Sequence, residues 1–170
     1  MKRLYLPLTK GIVRTLKRGE EVLLTGPILT CRDAAHKRLI ESLKADKKLP
    51  ISIKGETIYY TGPTPARPGE IIGSCGPTTS SRMEPFIPEL LKCGLRGIIG
   101  KGELSEEIAS LIRKHGAVYF TTIGGIGAYL AGKVTSSKVI AYEDLGTEAI
   151  RRLMIEDFPA IVRIKGNIGG

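Results

Sequence analysis

Seven residues in three separated stretches have the types and spacing to do chemistry. Arg32, Asp33 and His36 lie in "ILTCRDAAH", Thr78, Thr79 and Arg82 in "GPTTSSRM", and Lys101 between two glycines in "GIIGKGELS". Each stretch shares one design, an apolar run, a tight turn, then polar or basic residues as a helix or glycine loop begins. In a parallel-type sheet such strand ends meet at one edge, where ligands bind. Meeting there, two guanidinium groups and an ammonium would form a receptor for carboxylates or phosphates, helped by backbone N–H groups at helix starts. Arginine also fixes a carboxylate's position through two parallel hydrogen bonds. Each residue has a plainer reading. The hydroxyl run Thr78–Ser81 could simply open a helix, Asp33 could be a helix cap, His36 a structural side chain, and Arg82 a solvated one. Lys101 is harder to set aside, because flanking glycines let a ligand approach closely.

The elements that would carry these residues can be read from periodicity. "RLYLPL" and "EVLLTGPILTC" read as strands, the second interrupted at Gly26-Pro27. Asp33 opens a helix in which Ala35, Leu39, Ile40 and Leu43 recur at helical spacing. The stretch from Leu49 to Thr79 alternates β-branched and aromatic residues with Gly and Pro turns, as a set of strands would. A helix over Arg82–Lys92 follows, strained by Pro85 and Pro88. Then come the strand "LRGIIG", a helix capped by Ser105 and ended by Gly116, the strand "AVYFTT" and a short helix in "IGAYLAGKV". The strand "SSKVIAYEDLG", the helix "TEAIRRLMIEDF" and the strand "PAIVRIKGN" finish the chain. The expected fold is a single α/β domain over residues 1–170 with a mixed central sheet and a strand-rich first half. The glycines of "TTIGGIGAYLAGK" do not make a dinucleotide fingerprint. A third glycine is due at position 130, which is Leu130, and no G-K-[ST] follows. Close packing of a helix start fits them better, and they would also line a cavity floor.

Composition excludes several classes. Apolar residues are 42% and charged residues 25%, so a packed core is expected rather than disorder. No apolar run approaches the roughly 18 residues a membrane span needs, and "MKRLYLPLTK" lacks the features of a signal peptide; a cytoplasmic location is expected. The net charge of +9 suits an anionic partner or substrate. The basic residues are scattered, with no run longer than two, and aromatics are 5%, which argues against a nucleic-acid surface. Cys31, Cys75 and Cys93 match no metal or cluster spacing, so no metal site is expected on this chain.

Together, "TCRDAAHKRL", "GPTTSSRMEPF", "IIGKGELSEE" and "VYFTTIGGIGAYLAGKV", in this order across roughly residues 5 to 165, resemble the β subunit of class I fumarate hydratase. The β subunit of L(+)-tartrate dehydratase is similar. The resemblance implies a swivelling β/β/α type of fold and a hydro-lyase, reversibly hydrating fumarate to (S)-malate as in the citric acid cycle. It implies an oxygen-sensitive [4Fe–4S] cluster ligated by a partner α subunit, not by this chain, and an α2β2 assembly that is inactive without that partner. Carried over by position, Arg32 and Arg82 would bind substrate carboxylates with help from Thr79, Lys101 would add a third positive charge, and Thr78 would be the proton-transferring group. Asp33 and His36 could form a relay or orient Arg32. Such roles suit the chemistry, because a dicarboxylate must be gripped at two points. An alcohol can act as a base only where neighbouring cations favour its ionised form. Tartrate dehydration, or a non-catalytic anion-binding role, are the alternatives.

Overall fold

The computed structural model describes residues 1–167. Four strands run parallel: β2 (Glu21–Thr30), β3 (Thr57–Tyr59), β4 (Gly97–Gly100) and β5 (Val118–Thr121), paired in that order. The long strand β7 (Ile150–Lys165) lies antiparallel to β5 and also antiparallel to β2. The sheet therefore closes on itself through β2–β3–β4–β5–β7, a barrel-like ring. Two further strands flank it. β1 (Lys2–Tyr5) runs parallel to the first half of β2, and β6 (Val134–Ala141) antiparallel to the first half of β7.

β3, β4 and β5 are buried on both sides, which explains why "GIIG" and "VYFT" are continuous apolar runs rather than alternating ones. Tyr59, Ile99, Val118 and Phe120 turn to one core with Leu24, Ile28, Phe158 and Val162. Their neighbours Ile58, Tyr60, Ile98 and Tyr119 turn to a second core. That outer core is covered by α2 (Asp33–Lys44), α3 (Ile87–Lys92) and α4 (Glu106–Lys114), through Leu39, Leu90 and Ile112. α1 (Lys10–Thr15) and α5 (Gly127–Ala131) supply Val13 and Leu130 to the first core. Among the described residues no helix is long and apolar enough to cross a membrane.

The mixed α/β architecture agrees with the sequence reading, but five local elements differ. The segment "TEAIRRLMIEDF", expected to be helical, enters β7 at Ile150. Its apolar residues looked helical because two pairs of them fall three apart, although Met154 and Glu156 between them are exposed. Ile150 and Leu153, three apart, face opposite cores. A bulge then offsets Phe158 from Ile155, since Leu24 pairs with Phe158 and Gly26 with Ile155. The set of strands expected between Leu49 and Thr79 reduces to β3 and an isolated bridge at Thr79. Pro63, Pro65, Pro68 and Pro77 remove backbone donors there, so the chain is held by bonds such as Thr64 N–H to Ser74 O, 2.9 Å. The helix expected over Arg82–Lys92 is a 3-10 segment, Ser80–Phe86, followed by α3. The prolines explain this, Pro85 within the tight turn and Pro88 in the opening turn of α3. Finally, β2 runs through Gly26-Pro27 as one strand, and α1, capped by Thr9 Oγ1 accepting from Ile12 N–H at 3.1 Å, was not foreseen.

Phe158 is fully buried and meets Tyr59 edge-on at 5.2 Å between ring centres, inside the ring. Phe158→Ala is expected to lower unfolding free energy by about 3–5 kcal/mol, read as a shift in the urea midpoint without change of slope.

Candidate active site

Because β2, β3, β4 and β5 are parallel, their C-terminal ends form one rim. Arg32 follows β2, Gly62 follows β3, Lys101 follows β4, and Gly124 follows β5. Between β3 and β4 the returning segment Gly76–Ser80 is laid in as an extra strand. Thr78 N–H donates to Tyr60 O at 2.7 Å, Thr79 bridges Lys101 in parallel, and Ser80 N–H donates to Lys101 O at 3.1 Å. The half-buried Thr78 and Thr79 thus stand on the rim between the two cations.

Each cation lies over a glycine. A Cβ on Gly62 would sit 2.8 Å from Arg32 Cδ, and one on Gly124 would sit 3.2 Å from Lys101 Cδ. The glycine run after β5 therefore packs tightly, as its composition suggested, and also floors the site. A Cβ on Gly127 would strike the Ser74–Gly76 segment.

Lys101 is seated by a closed set of hydrogen bonds. Its N–H donates to Ser80 Oγ at 3.1 Å, Ser80 Oγ–H donates to Tyr119 Oη at 2.8 Å, and Tyr119 O–H donates to Gly102 O at 2.8 Å. Burial pushes the Tyr119 hydroxyl up to about 12, against the opposing hydrogen bond with Ser80 and the charge of Arg163. It stays a neutral donor. So Ser80 is not a helix cap, and Thr79, which precedes the 3-10 segment, makes no side-chain cap bond either.

Arg82 and Asp33 form a two-point pair. Nη2 donates to Oδ1 at 2.6 Å and Nε to Oδ2 at 3.3 Å. Burial raises the Asp33 pKa, but the hydrogen bond and charge of Arg82, with the charge of Arg32, outweigh it and hold the carboxyl below its ordinary value. Asp33 is the first helical residue rather than the cap. Arg32 takes the cap position, and Glu148, from the turn before β7, closes the helix start by accepting from Ala34 N–H at 3.1 Å. Arg32 Nε is 3.7 Å from Asp33 Oδ1, too far for a hydrogen bond, and is buried without a partner. That is a guanidinium with bonding capacity in reserve.

His36, which could form a relay or orient Arg32, lies below the rim. It is fully buried between the stacked ring of Phe86 (5.4 Å) and the edge-on ring of Tyr60 (5.3 Å). Its Nδ1–H donates to Arg32 O at 2.8 Å, and its Nε2 has no partner. It orients Arg32 from beneath, one of the two roles its spacing allowed. Burial lowers its pKa from 6.5 to about 4, despite the Arg32 carbonyl and the Asp33 charge.

The three thiols form no cluster site. Cys31 belongs to the outer core and Cys75 to the inner one, while Cys93 ends α3. Burial pushes the Cys31 thiol well up and Cys75 to about 11, the reverse of what a ligating thiolate requires. Among the described residues no three His, Cys, Asp or Glu side chains come together as metal ligands. A cavity of about 560 Å³ at Thr64–Ser74 and one of about 850 Å³ beside β5 do not include Arg32, Thr78 or Arg82.

Ser80, Tyr119, Gly62, Gly124 and Glu148 were not singled out from sequence. Gly124 had a signal in the glycine run, and Ser80 in the hydroxyl run. Glu148 had none, because its segment read as a helix.

The chain is a mixed α/β domain whose sheet closes into a barrel-like ring, with cations and hydroxyls on the rim of its parallel strands. The Fumarase C-terminus family model matches residues 2–168, and the chain belongs to this family. It is 41% identical over 148 residues to "Fumarate hydratase class I, anaerobic" of Escherichia coli (strain K12), covering 85% of this chain and 27% of that protein. It is 38% identical over 165 residues to "Fumarate hydratase 1, mitochondrial" of Leishmania major, covering 94% and 29%. It is 35% identical over 167 residues to "Putative L(+)-tartrate dehydratase subunit beta" of Methanocaldococcus jannaschii, covering 95% and 86%. The chain thus spans little more than a quarter of the fumarate hydratases and most of the separate β chain.

The buried imidazole predicts a pH effect. Unfolded His36 binds a proton near pH 6.5 and folded His36 only near 4, so the unfolded state holds more protons in between. Stability is expected to fall as pH drops from 6.5 towards 4, by up to about 3 kcal/mol, and no further from this group below that. Urea titrations at the two ends of this window should show a smaller loss in His36→Gln than in the parent.

Proposed function

We propose that this chain is the β subunit of a cytoplasmic heteromeric class I fumarate hydratase, interconverting fumarate and (S)-malate in a site shared with an α subunit. The observation that carries the reading is the rim itself: Arg32, Thr78, Thr79 and Lys101 lie side by side on the ends of parallel strands, with Arg82 anchored beside them. The pair with Asp33 presets the Arg82 fork in the geometry a substrate carboxylate would use. The exposed part of the Arg32 guanidinium, whose Nε meets Asp33 only at 3.7 Å, gives the second grip on a dianion. Lys101, held rigid by Ser80 and Tyr119, adds the positive field that makes ionisation of the Thr78 hydroxyl less costly. His36 and Asp33 position the arginines and touch no substrate. An iron–sulfur cluster, carried by the α subunit, would supply the Lewis acid that activates the hydroxyl. Two α and two β chains make the expected assembly.

A second reading, the β subunit of an L(+)-tartrate dehydratase, is favoured by the match over 86% of a separate β chain. The discriminating experiment co-expresses the chain with its α partner, reconstitutes the cluster without oxygen, and follows the ultraviolet absorbance of the fumarate double bond. Loss of fumarate is expected. Turnover of tartrate with fumarate untouched would replace the first reading by the second.

In the active complex Arg82→Ala is expected to weaken substrate binding by about 2–4 kcal/mol, seen chiefly as a raised KM. Thr78→Val keeps the shape and removes the hydroxyl, so kcat should collapse with KM little changed. Near-normal turnover would exclude Thr78 as the proton-transferring group.

A further inference from the structure

A second group of cations stands apart from the rim arginines. The cavity of about 850 Å³ beside the end of β5 is bordered by Arg18, Arg113, Arg163 and Lys165. Its acidic neighbours are Glu103 and Glu106, and Glu106 is already paired with Arg113. Arg18, Arg163 and Lys165 have no carboxylate within 4.0 Å among the described residues. Gathering like charges around one hollow raises its potential and attracts counter-charge.

The backbone aims one of these cations. Tyr119 pairs with Ile164 and Phe120 with Val162, which leaves Arg163 as the extra residue of a bulge in β7. A bulge turns its side chain out of the regular alternation. Arg163 Nε then donates to Thr121 Oγ1 at 2.9 Å, fixing the guanidinium while both terminal nitrogens remain to be used. Thr121 accepts that bond and keeps its own proton to donate. On the other side, Gly19 N–H donates to Val162 O at 2.7 Å, which ties the loop carrying Arg18 to the same stretch of β7. Arginines from two distant segments are thereby fixed at one hollow.

We propose that this cavity is a second anion-binding site, independent of the rim, that takes a small multivalent anion bearing phosphate or several carboxylates. Arg163 supplies the two-pronged contact, Thr121 a hydroxyl donor, and Arg18 and Lys165 the surrounding charge. The inference does not rest on the proposed enzymatic activity. Its occupant would lie against Tyr119, whose hydroxyl belongs to the bonds that seat Lys101.

The test is a nitrogen-15 amide titration of the full chain in low-salt buffer, with inorganic pyrophosphate in one arm and citrate in the other. At least one is expected to bind with a Kd below about 1 mM. The shifts should centre on Gly19, Gly102, Thr121, Thr122 and Arg163. Binding only in the pyrophosphate arm assigns phosphate chemistry, and only in the citrate arm assigns polycarboxylate chemistry. Arg163→Gln should weaken it about tenfold, and so should Arg18→Gln, which alters no described hydrogen bond and guards against a folding defect in the first variant. No saturable shift in either arm up to about 10 mM overturns the proposal. So do shifts confined to Gly62, Thr78 and Arg82, or unchanged affinity in both variants.

Discussion

Because β7 hydrogen-bonds to β5 on one side and to β2 on the other, the sheet cannot lie open. Within that ring the four parallel strands, joined by helical crossovers, deliver their C-terminal ends to one rim. Arg32 and Lys101 are far apart in sequence, yet each stands just past the end of a strand of that ring. The same pairing makes two cores out of one chain. Side chains alternate between an interior filled by Leu24, Phe120 and Phe158 and an exterior covered by helices.

Charge at the rim is arranged for restraint more than for abundance. Of the cations, Arg82 is occupied by Asp33, and Arg32 is braced through its backbone carbonyl by a neutral, buried His36. Lys101 is fixed by its backbone and not by a counter-ion, since Ser80 and Tyr119 hold the peptide groups on either side of it. A carboxylate arriving at this edge meets groups already placed, so less ordering is left to the binding step.

The site was more legible in the sequence than the scaffold. Polar residues soon after apolar runs marked Arg32 and Lys101, because a strand's end is a local feature, whereas the apolar run before Thr78 forms no strand. What sequence could not show was which face each residue of β7 occupies. Ile150 and Leu153 face different cores, and the bulge around Asp157 (φ 52°) shifts the rest, so the segment lost the period of two and mimicked a helix. The hydroxyls of Gly76–Ser81 read as a helix start because their true partners, Tyr60 and Lys101, lie on other strands. Glu148 and Tyr119 owe their roles to contacts at long sequence separation, which no spacing rule encodes.

The glycines beneath Arg32 and Lys101 carry a consequence for how this surface can drift. An alanine at position 62 would leave every charge on the molecule unaltered, and a map of electrostatic potential would scarcely register it. Yet the added methyl would crowd Arg32 Cδ and push the guanidinium from its seat. Here the absence of a side chain works as a positional reference. Selection on the arginine is therefore felt at a neighbour that bears no charge and offers no functional group of its own.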